Sequence, residues 1–460
     1  MSTRQEGAPS PHVRSRDELV AWIAEGSRPK ERWRIGTEHE KFVFHTDTLK
    51  PVPYGGERGI RALMEALIAR YGWEPIREGD TIIALKRPEG TAAGTISLEP
   101  GGQFELSGAA VETLHETAAE TGEHLDQVLD VGEELGIGFL GMGFTPKWTL
   151  AEMPRMPKER YQVMTRYMPR VGRHGLDMMY RTATIQVNVD FADEADMVKK
   201  MRVGLALQPI ATALFASSPF IEGKPKGFKS LRSEVWRDTD PDRTGMLPFA
   251  FEPGMGFERY VDYALGVPMY FVYRDGHYID AAGASFRDFM EGRLPQLPGE
   301  RPTLDDWSDH LTTLFPEVRM KRFLEMRGAD GGRWKRICAL PAFWVGLLYD
   351  ETALDAAWDL VKDWSAEERQ ALRDAVPRAA LAAPFRGTTV QQLACEALRI
   401  SHAGLRNRKR INDLSQDETI YIAPLEMLAA CGTTVADELL ACFAGHWQGN
   451  IDHIFRECAF

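Results

Sequence analysis

The chain has 460 residues, of which 44% are hydrophobic and 27% charged, so it is long enough to bury a sizeable core. Its formal charge of −12 argues against non-specific binding to nucleic acid or to anionic membranes, and no apolar run approaches the length of a membrane span. Five cysteines without C-x-x-C spacing exclude a disulfide scaffold and a zinc ribbon, and they favour a reducing cytoplasm. The sequence therefore predicts a cytoplasmic protein whose partners are small molecules, with no nucleic acid and no membrane.

The order of predicted elements begins with a flexible segment over residues 1–14 and a capping box at Ser15–Glu18 that opens a helix. Helical periodicity is clearest over 57–70, 111–135, 192–216, 342–362, 389–402 and from about 424 to the end. Residues 183–191 alternate as a strand, and 267–280 read as a hairpin around Asp275-Gly276. Strand signals fade after about residue 340. The pattern predicts one α+β domain over 15–460, an antiparallel sheet wrapped by helices with a helical C-terminal part.

Four short stretches place acidic and amide side chains at i and i+2, which on a strand point to the same face. The pairs are Glu38 with Glu40, Gln103 with Glu105, Gln186 with Asn188, and Glu325 with Arg327. Each face alone is typical of the solvent side of a sheet. Together they favour a site, because solvent faces usually mix Thr, Lys and Arg, and because Gly36, Gly101 and Gly102 would let a ligand approach the backbone.

Several buried glutamates need counter-charge, and Mg²⁺ is the natural partner of oxygen ligands. His39 points to the opposite face from Glu38 and Glu40, so we interpret it as structural. No H-E-x-x-H motif supports a zinc protease.

Nucleotide-binding motifs are absent or out of context. G-x-G-x-x-G at 136–141 follows a predicted helix instead of a strand, so we reject the dinucleotide interpretation, and no G-x-x-x-x-G-K-[ST] occurs. The loop at 229–245 combines arginines, hydroxyls and an Asp-Pro turn, which suits either a carboxylate or phosphate clamp or a solvated surface. The run at 406–410 favours a solvated helix end over a phosphate contact.

Six ordered motifs resemble the glutamate–cysteine ligases of plants and some proteobacteria, within the glutamine-synthetase-like carboxylate–amine ligases. They are G-T-E-H-E-K, I-S-L-E-P-G-G-Q-F-E-L-S-G, R-T-A-T-I-Q-V-N-V-D-F, R-S-E-V-W-R-D-T-D-P-D-R-T-G-M-L-P-F, V-P-M-Y-F-V-Y-R and F-P-E-V-R-M-K-R-F-L-E-M-R-G-A-D. The resemblance implies a curved antiparallel sheet of about six strands. It also implies that ATP phosphorylates the γ-carboxyl of L-glutamate and that the amine of L-cysteine attacks the γ-glutamyl phosphate, as the first step of glutathione synthesis.

Residue roles carried over from this resemblance fall into three groups. The implied metal ligands are Glu38, Glu40, Glu99, Glu105, Gln186 and Glu325, for two or three Mg²⁺ ions with Mn²⁺ as an alternative. The implied substrate-binding residues are Arg232, Trp236, Arg243, Thr244, Gln186 and Asn188. The implied catalytic residues are Arg327, facing the transferring phosphate, with Arg232 and Arg243 anchoring carboxylate or phosphate.

The chain departs from the plant pattern in two places. The positions of a regulatory cysteine pair are Ala281 and Gln296, so we expect no such thiol switch, and we expect no plastid-targeting segment. Two alternatives stay open: the same chemistry with a different amine acceptor, and a non-catalytic sensor of nucleotide or metal. The sequence leaves monomer and homodimer equally open.

Overall fold

The computed structural model describes residues 10–88 and 94–460. Residues 1–9 of the predicted flexible segment lie outside the described residues. Residues 10–14 contact a later segment: the Val13 amide donates to the Pro302 carbonyl at 2.7 Å, and the Ser10 hydroxyl donates to Asp305 at 2.6 Å. The flexibility of the N-terminal segment stays a prediction.

Helices make up just under half of the described chain and are numbered in order. They are α1 Arg16–Ala24, α2 Ile60–Tyr71, α3 Leu114–Leu135, α4 Glu159–Tyr167, α5 Gly175–Arg181, α6 Glu194–Phe215, α7 Leu231–Val235, α8 Phe257–Gly266, α9 Phe286–Met290, α10 Leu304–Thr312, α11 Trp334–Leu348, α12 Glu351–Val361, α13 Ala366–Ala379, α14 Val390–Arg408, α15 Ala423–Cys431, α16 Val435–Ala444 and α17 Ile454–Glu457. Side-chain caps fix several starts, such as the Thr113–Glu116 capping box of α3 and the Ser15 cap of α1.

The strands form one large sheet and several two-stranded ribbons. They are β1 Ile35–His45, β2 Glu74–Glu78, β3 Thr81–Lys86, β4 Thr95–Leu98, β5 Phe104–Ser107, β6 Ile137–Leu140, β7 Thr184–Val189, β8 Phe220–Ile221, β9 Lys224–Pro225, β10 Thr244–Gly245, β11 Phe271–Arg274, β12 His277–Asp280, β13 Phe315–Pro316, β14 Val318–Met320, β15 Leu324–Asp330, β16 Pro384–Phe385 and β17 Thr388–Thr389. The large sheet has nine strands in the order β14-β15-β7-β1-β5-β4-β3-β2, with β6 also paired to β1. Its pairings are antiparallel.

The two faces of this sheet differ as the alternation in β7 predicts. Ile185, Val187 and Val189 are 0% exposed and join the core cluster that includes α6 and α11. Farther along the sheet, the back faces of β4 and β5 join a second cluster with α2 and α3. Helices therefore cover the back of the sheet, and the other face carries the polar side chains.

The α+β class, the antiparallel sheet and the helical C-terminal part are confirmed, but the sheet has nine strands where about six were expected. The strands that the periodicity analysis did not identify include β2, β3 and β6, which are short. The segment at 137–140, which the sequence analysis treated only as part of a glycine motif, forms β6 directly after α3. The glycines therefore follow a helix, which agrees with the rejection of the dinucleotide interpretation.

The predicted hairpin forms between β11 and β12. Its two loop residues, Asp275 and Gly276, have φ of 48° and 85°, the left-handed pair that a type I′ turn requires. The 406–410 run is the end of α14 and the residues after it, where Arg408 pairs with Glu418 and Arg410 with Glu112. The solvated helix end is therefore the interpretation that the geometry favours.

Among the described residues, no single helix is both long enough and apolar enough to span a membrane. Two bent pairs of consecutive helices, α11 with α12 and α15 with α16, reach that length and composition only when the two helices are taken together.

Candidate active site

The register of three strands brings the predicted polar residues together. Glu38 on β1 lies opposite Ser107 on β5 and Gln186 on β7, and Glu40 lies opposite Glu105. Since directly paired residues of antiparallel strands point to the same face, these side chains form cross-strand rows.

A third row joins β1 to the edge of the sheet. Asn188 on β7 lies opposite Gly36 on β1 and Glu325 on β15, and Glu325 lies opposite Arg319 on β14. The observed register therefore places polar residues of β1, β5, β7 and β15 on one face of the sheet.

A pocket of about 110 Å³ opens on this face. Of the predicted site residues, its lining includes Glu38, Glu40, Glu99, Glu105, Gln186, Arg232, Trp236 and Arg327. Asn188 is not a lining residue, but its side chain donates to Glu38 Oε1 at 3.0 Å. Glu325 is likewise held below the pocket by contacts to its cations.

The carboxylates at the β1–β5 pairing are buried among like charges. Burial, with Glu99 and Glu105 as neighbours, raises the pKa of Glu40 well above its usual range. Burial, with Glu99 and Glu38 as neighbours, raises the pKa of Glu105 to about 8. The bonds present are few: Glu40 accepts from the Thr184 amide at 3.1 Å, and Glu105 from the Ser107 hydroxyl at 2.5 Å. This end of the pocket would be stabilised by a cation.

Glu325 has the opposite environment. It is 0% exposed, and its carboxylate pairs with Arg319 at 2.7 Å, with Lys321 at 3.1 Å and with Arg327. Burial alone would raise its pKa, but these three cations outweigh burial and hold the pKa well below the usual range. Arg327 also donates to Gln186 Oε1 at 2.6 Å, so it connects the cationic end to the β1–β7 row.

Within residues 10–88 and 94–460, no three His, Cys, Asp or Glu side chains converge into a group ready to hold a metal ion. Glu325 is instead turned onto two arginines and a lysine, which compete with a metal ion for its carboxylate. The donor chemistry nevertheless suits Mg²⁺, because the groups are oxygens and because burial among like charges raises the pKa values of Glu40 and Glu105. The metal roles of these residues stay predictions.

The segment at 229–245 was predicted as a loop, but part of it folds as α7. The Ser230 hydroxyl accepts from the Ser233 amide at 3.1 Å and starts this helix, which carries Arg232 into the pocket. Arg232 Nη2 donates to the Arg327 carbonyl at 2.8 Å, whereas its Nε is buried with no hydrogen-bond partner. The buried Trp236 Nε1 has no partner either. Two donors are thus available to a ligand in the pocket.

Arg243 lies elsewhere. It is 0% exposed and is absent from the pocket lining; it donates to Asp240 at 2.5 Å and to the Pro268 carbonyl at 2.9 Å, and it stacks 3.8 Å from the Tyr270 ring centre. Thr244 lines a small neighbouring crevice, and its hydroxyl donates to the Asp240 carbonyl at 2.7 Å. These contacts organise the loop, and the anchoring role of Arg243 stays a prediction.

The pocket residues that the sequence analysis missed include a cation and a phenol from one helix. Arg160 and Tyr161 of α4 line the pocket, and the Tyr161 hydroxyl donates to the Leu98 carbonyl at 2.7 Å and to Glu99 at 3.3 Å. Arg160 donates to the Thr312 hydroxyl at 3.3 Å. The stretch 158–161, Lys-Glu-Arg-Tyr, was the available signal, but nothing in it indicates which helix face meets the sheet.

The glycines beside the glutamates serve the protein's own packing. A Cβ at Gly101 would lie 2.3 Å from the Tyr180 carbonyl, and one at Gly36 would lie 3.1 Å from the Asn188 side chain. Gly102 has φ of 80° in the tight turn between β4 and β5. In these contacts the glycines admit neighbouring protein atoms, whereas the sequence analysis expected them to admit a ligand.

The model of glutamate–cysteine ligase family 2 matches residues 34–457. The chain belongs to this family. Glutamate–cysteine ligase B, chloroplastic, of Oryza sativa subsp. japonica is 56% identical over 97% of this chain and 87% of its own length. The chloroplastic enzyme of Nicotiana tabacum is 55% identical over 97% of this chain and 83% of its own. These identities establish that the chain is an enzyme of the plant type.

A solved structure shares the fold at much lower sequence similarity. The glutamate–cysteine ligase of Francisella tularensis, crystallised in complex with AMP, matches with a TM-score of 0.52 and 12% identity over 92% of this chain and 89% of its own. At that identity the match supports the fold alone. It agrees with the expected glutamine-synthetase-like architecture.

The predicted cytoplasmic localisation is contradicted by these comparisons. The relatives from rice, tobacco and Arabidopsis thaliana are all named chloroplastic. A reducing compartment inferred from cysteine count does not distinguish the cytosol from a plastid, which is why the sequence argument failed.

Proposed function

We propose that the enzyme joins the γ-carboxyl of L-glutamate to the amine of L-cysteine at the expense of ATP, the first step of glutathione synthesis. The observation that carries the proposal is the convergence of buried glutamates and arginines in one pocket of a chain 56% identical to a named glutamate–cysteine ligase. Residues 15–460 would form the single catalytic domain.

The reaction needs an activated carboxyl, because a carboxylate is a poor electrophile. The γ-carboxylate oxygen takes the γ-phosphoryl group of ATP, giving γ-glutamyl phosphate and ADP. The cysteine amine then attacks the acyl carbon, the C–O bond to phosphate breaks, and the amine loses a proton as phosphate leaves. Phosphoryl transfer between anions depends mainly on positioning and charge neutralisation.

Mg²⁺ would be held by Glu38, Glu40, Glu99, Glu105, Gln186 and Glu325, two or three ions in all, and it would neutralise the phosphates of ATP. Engaging Glu325 requires that its carboxylate exchange contacts with Arg319, Lys321 or Arg327. Those cations would then be free to face phosphate oxygens. Arg327 is the best placed of them, since it lines the pocket beside Gln186.

The α7 segment supplies the second set of donors. Arg232 Nε and Trp236 Nε1 are buried without partners and border the pocket, so an anionic substrate group there would satisfy them. Arg243 would act on this segment through Asp240, which supports the loop that follows Trp236. Asn188 would hold Glu38 in place.

Hydroxamate formation from L-glutamate, ATP and hydroxylamine tests the activated carboxyl directly. We expect hydroxamate and equimolar ADP only when Mg²⁺ or Mn²⁺ is present. Absence of hydroxamate under these conditions, with nucleotide still bound, would favour a non-catalytic sensor.

An amine panel scored by phosphate release tests the acceptor. We expect L-cysteine to give the highest kcat/KM, well above L-alanine and ammonia. Equal values for the three amines would keep the carboxyl activation and reject cysteine as the substrate.

A further inference from the structure

A second cavity lies away from the active-site pocket, where the C-terminal segment packs on α3 and the start of α11. Its volume is about 800 Å³. Its floor is apolar, made by buried side chains that include Leu125, Met142, Leu439 and Trp447. Trp334, 38% exposed, stands at the rim. A space of this size with an apolar floor is typical of sites for small organic ligands.

The unpaired buried polar atoms in this cavity are donors. Arg336 Nε and Trp447 Nε1 are buried without a hydrogen-bond partner, and both residues line the cavity. The Trp447 indole faces Glu457 closely enough to lower the pKa of that carboxyl, but it forms no hydrogen bond with it. Ser217, the lining hydroxyl, is already satisfied by the Gly331 carbonyl at 3.0 Å. A ligand would therefore need to bring an acceptor.

Positive charge lies where the cavity meets the start of α11. Arg333 and Lys335 are exposed lining residues, and neither forms an ion pair within the described chain. They belong to the first turn of α11, a 15-residue helix whose N-cap residue, Arg333, makes no side-chain cap and whose first turn has no acidic residue. Three carboxylates, Asp126, Glu438 and Glu457, also line the cavity, and Glu457 accepts from His446 at 3.1 Å. An anionic acceptor group would therefore bind at the start of α11, beside Arg333 and Lys335, and away from these carboxylates.

We propose that this cavity is a binding site for a small molecule with an apolar, ring-sized body and one anionic group, the body lying against Leu125, Leu439 and Trp447 and the anion at the start of α11.

The cavity is connected to the active site through one buried carboxylate. Ser217, which lines the cavity, donates its amide to Asp330 at 3.0 Å. Asp330 also accepts from the Ser230 hydroxyl at 2.6 Å, and Ser230 begins α7, the helix that carries Arg232. A ligand in the cavity therefore lies one side chain away from the substrate-facing helix.

Two fluorescent probes that differ in charge test the proposal on the full chain. 8-Anilinonaphthalene-1-sulfonate carries the anion, and N-phenyl-1-naphthylamine has the same ring system without it. Gly122→Leu fills the cavity, because a Cβ at Gly122 has only the Trp334 indole nitrogen within 4 Å, at 3.9 Å. We expect this variant to bind both probes about tenfold more weakly or worse, because the leucine side chain occupies the apolar space that the rings of the probes would fill. The matched control is Ala119→Leu, at an exposed position of the same helix, which should leave the affinity for both probes unchanged.

The charge requirement has its own variant. Arg333→Gln with Lys335→Gln should weaken the sulfonate probe by about three- to tenfold and leave the neutral probe unchanged, because two exposed charges each contribute little. The control pair Arg293→Gln with Lys362→Gln removes equal charge elsewhere. Unchanged sulfonate binding in Gly122→Leu, equal loss of both probes in the charge variant, or displacement of the sulfonate probe by ATP would each overturn the proposal. All these readouts are independent of ligase activity.

Discussion

Glu105 and Glu325 lie on the same face of the central sheet and are 5% and 0% exposed, but their surroundings move their pKa values in opposite directions. Glu105 faces Glu99 and Glu38, whereas Glu325 faces Arg319, Lys321 and Arg327. The comparison shows that burial alone does not determine the charge of a carboxylate in this pocket. The identity of its nearest neighbours does.

The largest effect should come from Glu325→Gln. Removing this carboxylate leaves the buried Arg319 and Lys321 and the pocket-lining Arg327 without their shared partner, which should lower the free energy of unfolding by about 3–5 kcal/mol. Urea denaturation at pH 7 measures it. A change below about 1 kcal/mol would mean that the cations find other partners, and the contrast with Glu105 would be lost.

Arg243→Gln should come next, because it leaves the buried Asp240 carboxylate unpaired. We expect a loss of about 3 kcal/mol in unfolding free energy, with a KM for glutamate that stays close to the parent value at temperatures where the variant is folded. Arg232→Gln is the comparison, since Arg232 borders the pocket and should raise KM or lower kcat. A tenfold rise in KM for Arg243→Gln without loss of stability would instead support direct anchoring of substrate.

Stability should depend on pH through Glu105. Its pKa of about 8 in the folded state lies above the ordinary value of 4.5 for a glutamate, so the folded state binds more protons than the unfolded state. The stabilisation present below about pH 4.5 is therefore lost as the pH rises towards 8. Relative to Glu105→Gln, the parent should lose about 2–3 kcal/mol between pH 5 and pH 7.5. Urea midpoints of both proteins across this range measure the difference.

Adding a divalent cation to the same urea experiment tests whether these carboxylates attract metal ions. Added Mg²⁺ should raise the urea midpoint of the parent protein more at pH 7.5 than at pH 5, because only ionised carboxylates attract the cation. The Glu105→Gln variant should respond less. Equal responses of the two proteins would count against a cation at the β1–β5 pairing.

The smallest effect should come from Trp236→Phe, which removes one neutral donor from the pocket. A hydrogen bond of this kind contributes about 0.5–1.5 kcal/mol, so we expect up to a tenfold loss in kcat/KM. The unfolding free energy should hardly change, because Nε1 has no partner to lose. Unaltered kinetics would place substrate elsewhere in the pocket.

Period-two alternation was enough to predict β7 and the shared face of Glu38 and Glu40, because side-chain direction on a strand is a local property. That the polar side chains of β1, β5 and β7 lie together could be expected only from the family resemblance. Strand register depends on long-range pairing, which the local pattern does not reveal. Arg160 was missed for that reason: the orientation of α4 over the sheet is set by tertiary packing. The cations around Glu325 were visible as a basic stretch at 319–322, but the sequence did not show that they would enclose one carboxylate.

The site depends on the length of β1, because Glu38 must lie opposite Gln186 and Glu40 opposite Glu105. Inserting or deleting a single codon before Glu38 within β1 would rotate the acidic side chains into the helical layer and present His39 and Lys41 to the pocket instead. Insertions and deletions in this strand should abolish activity even where substitutions at neighbouring positions are tolerated. A mutant library of β1 should therefore exchange residues and keep their number constant.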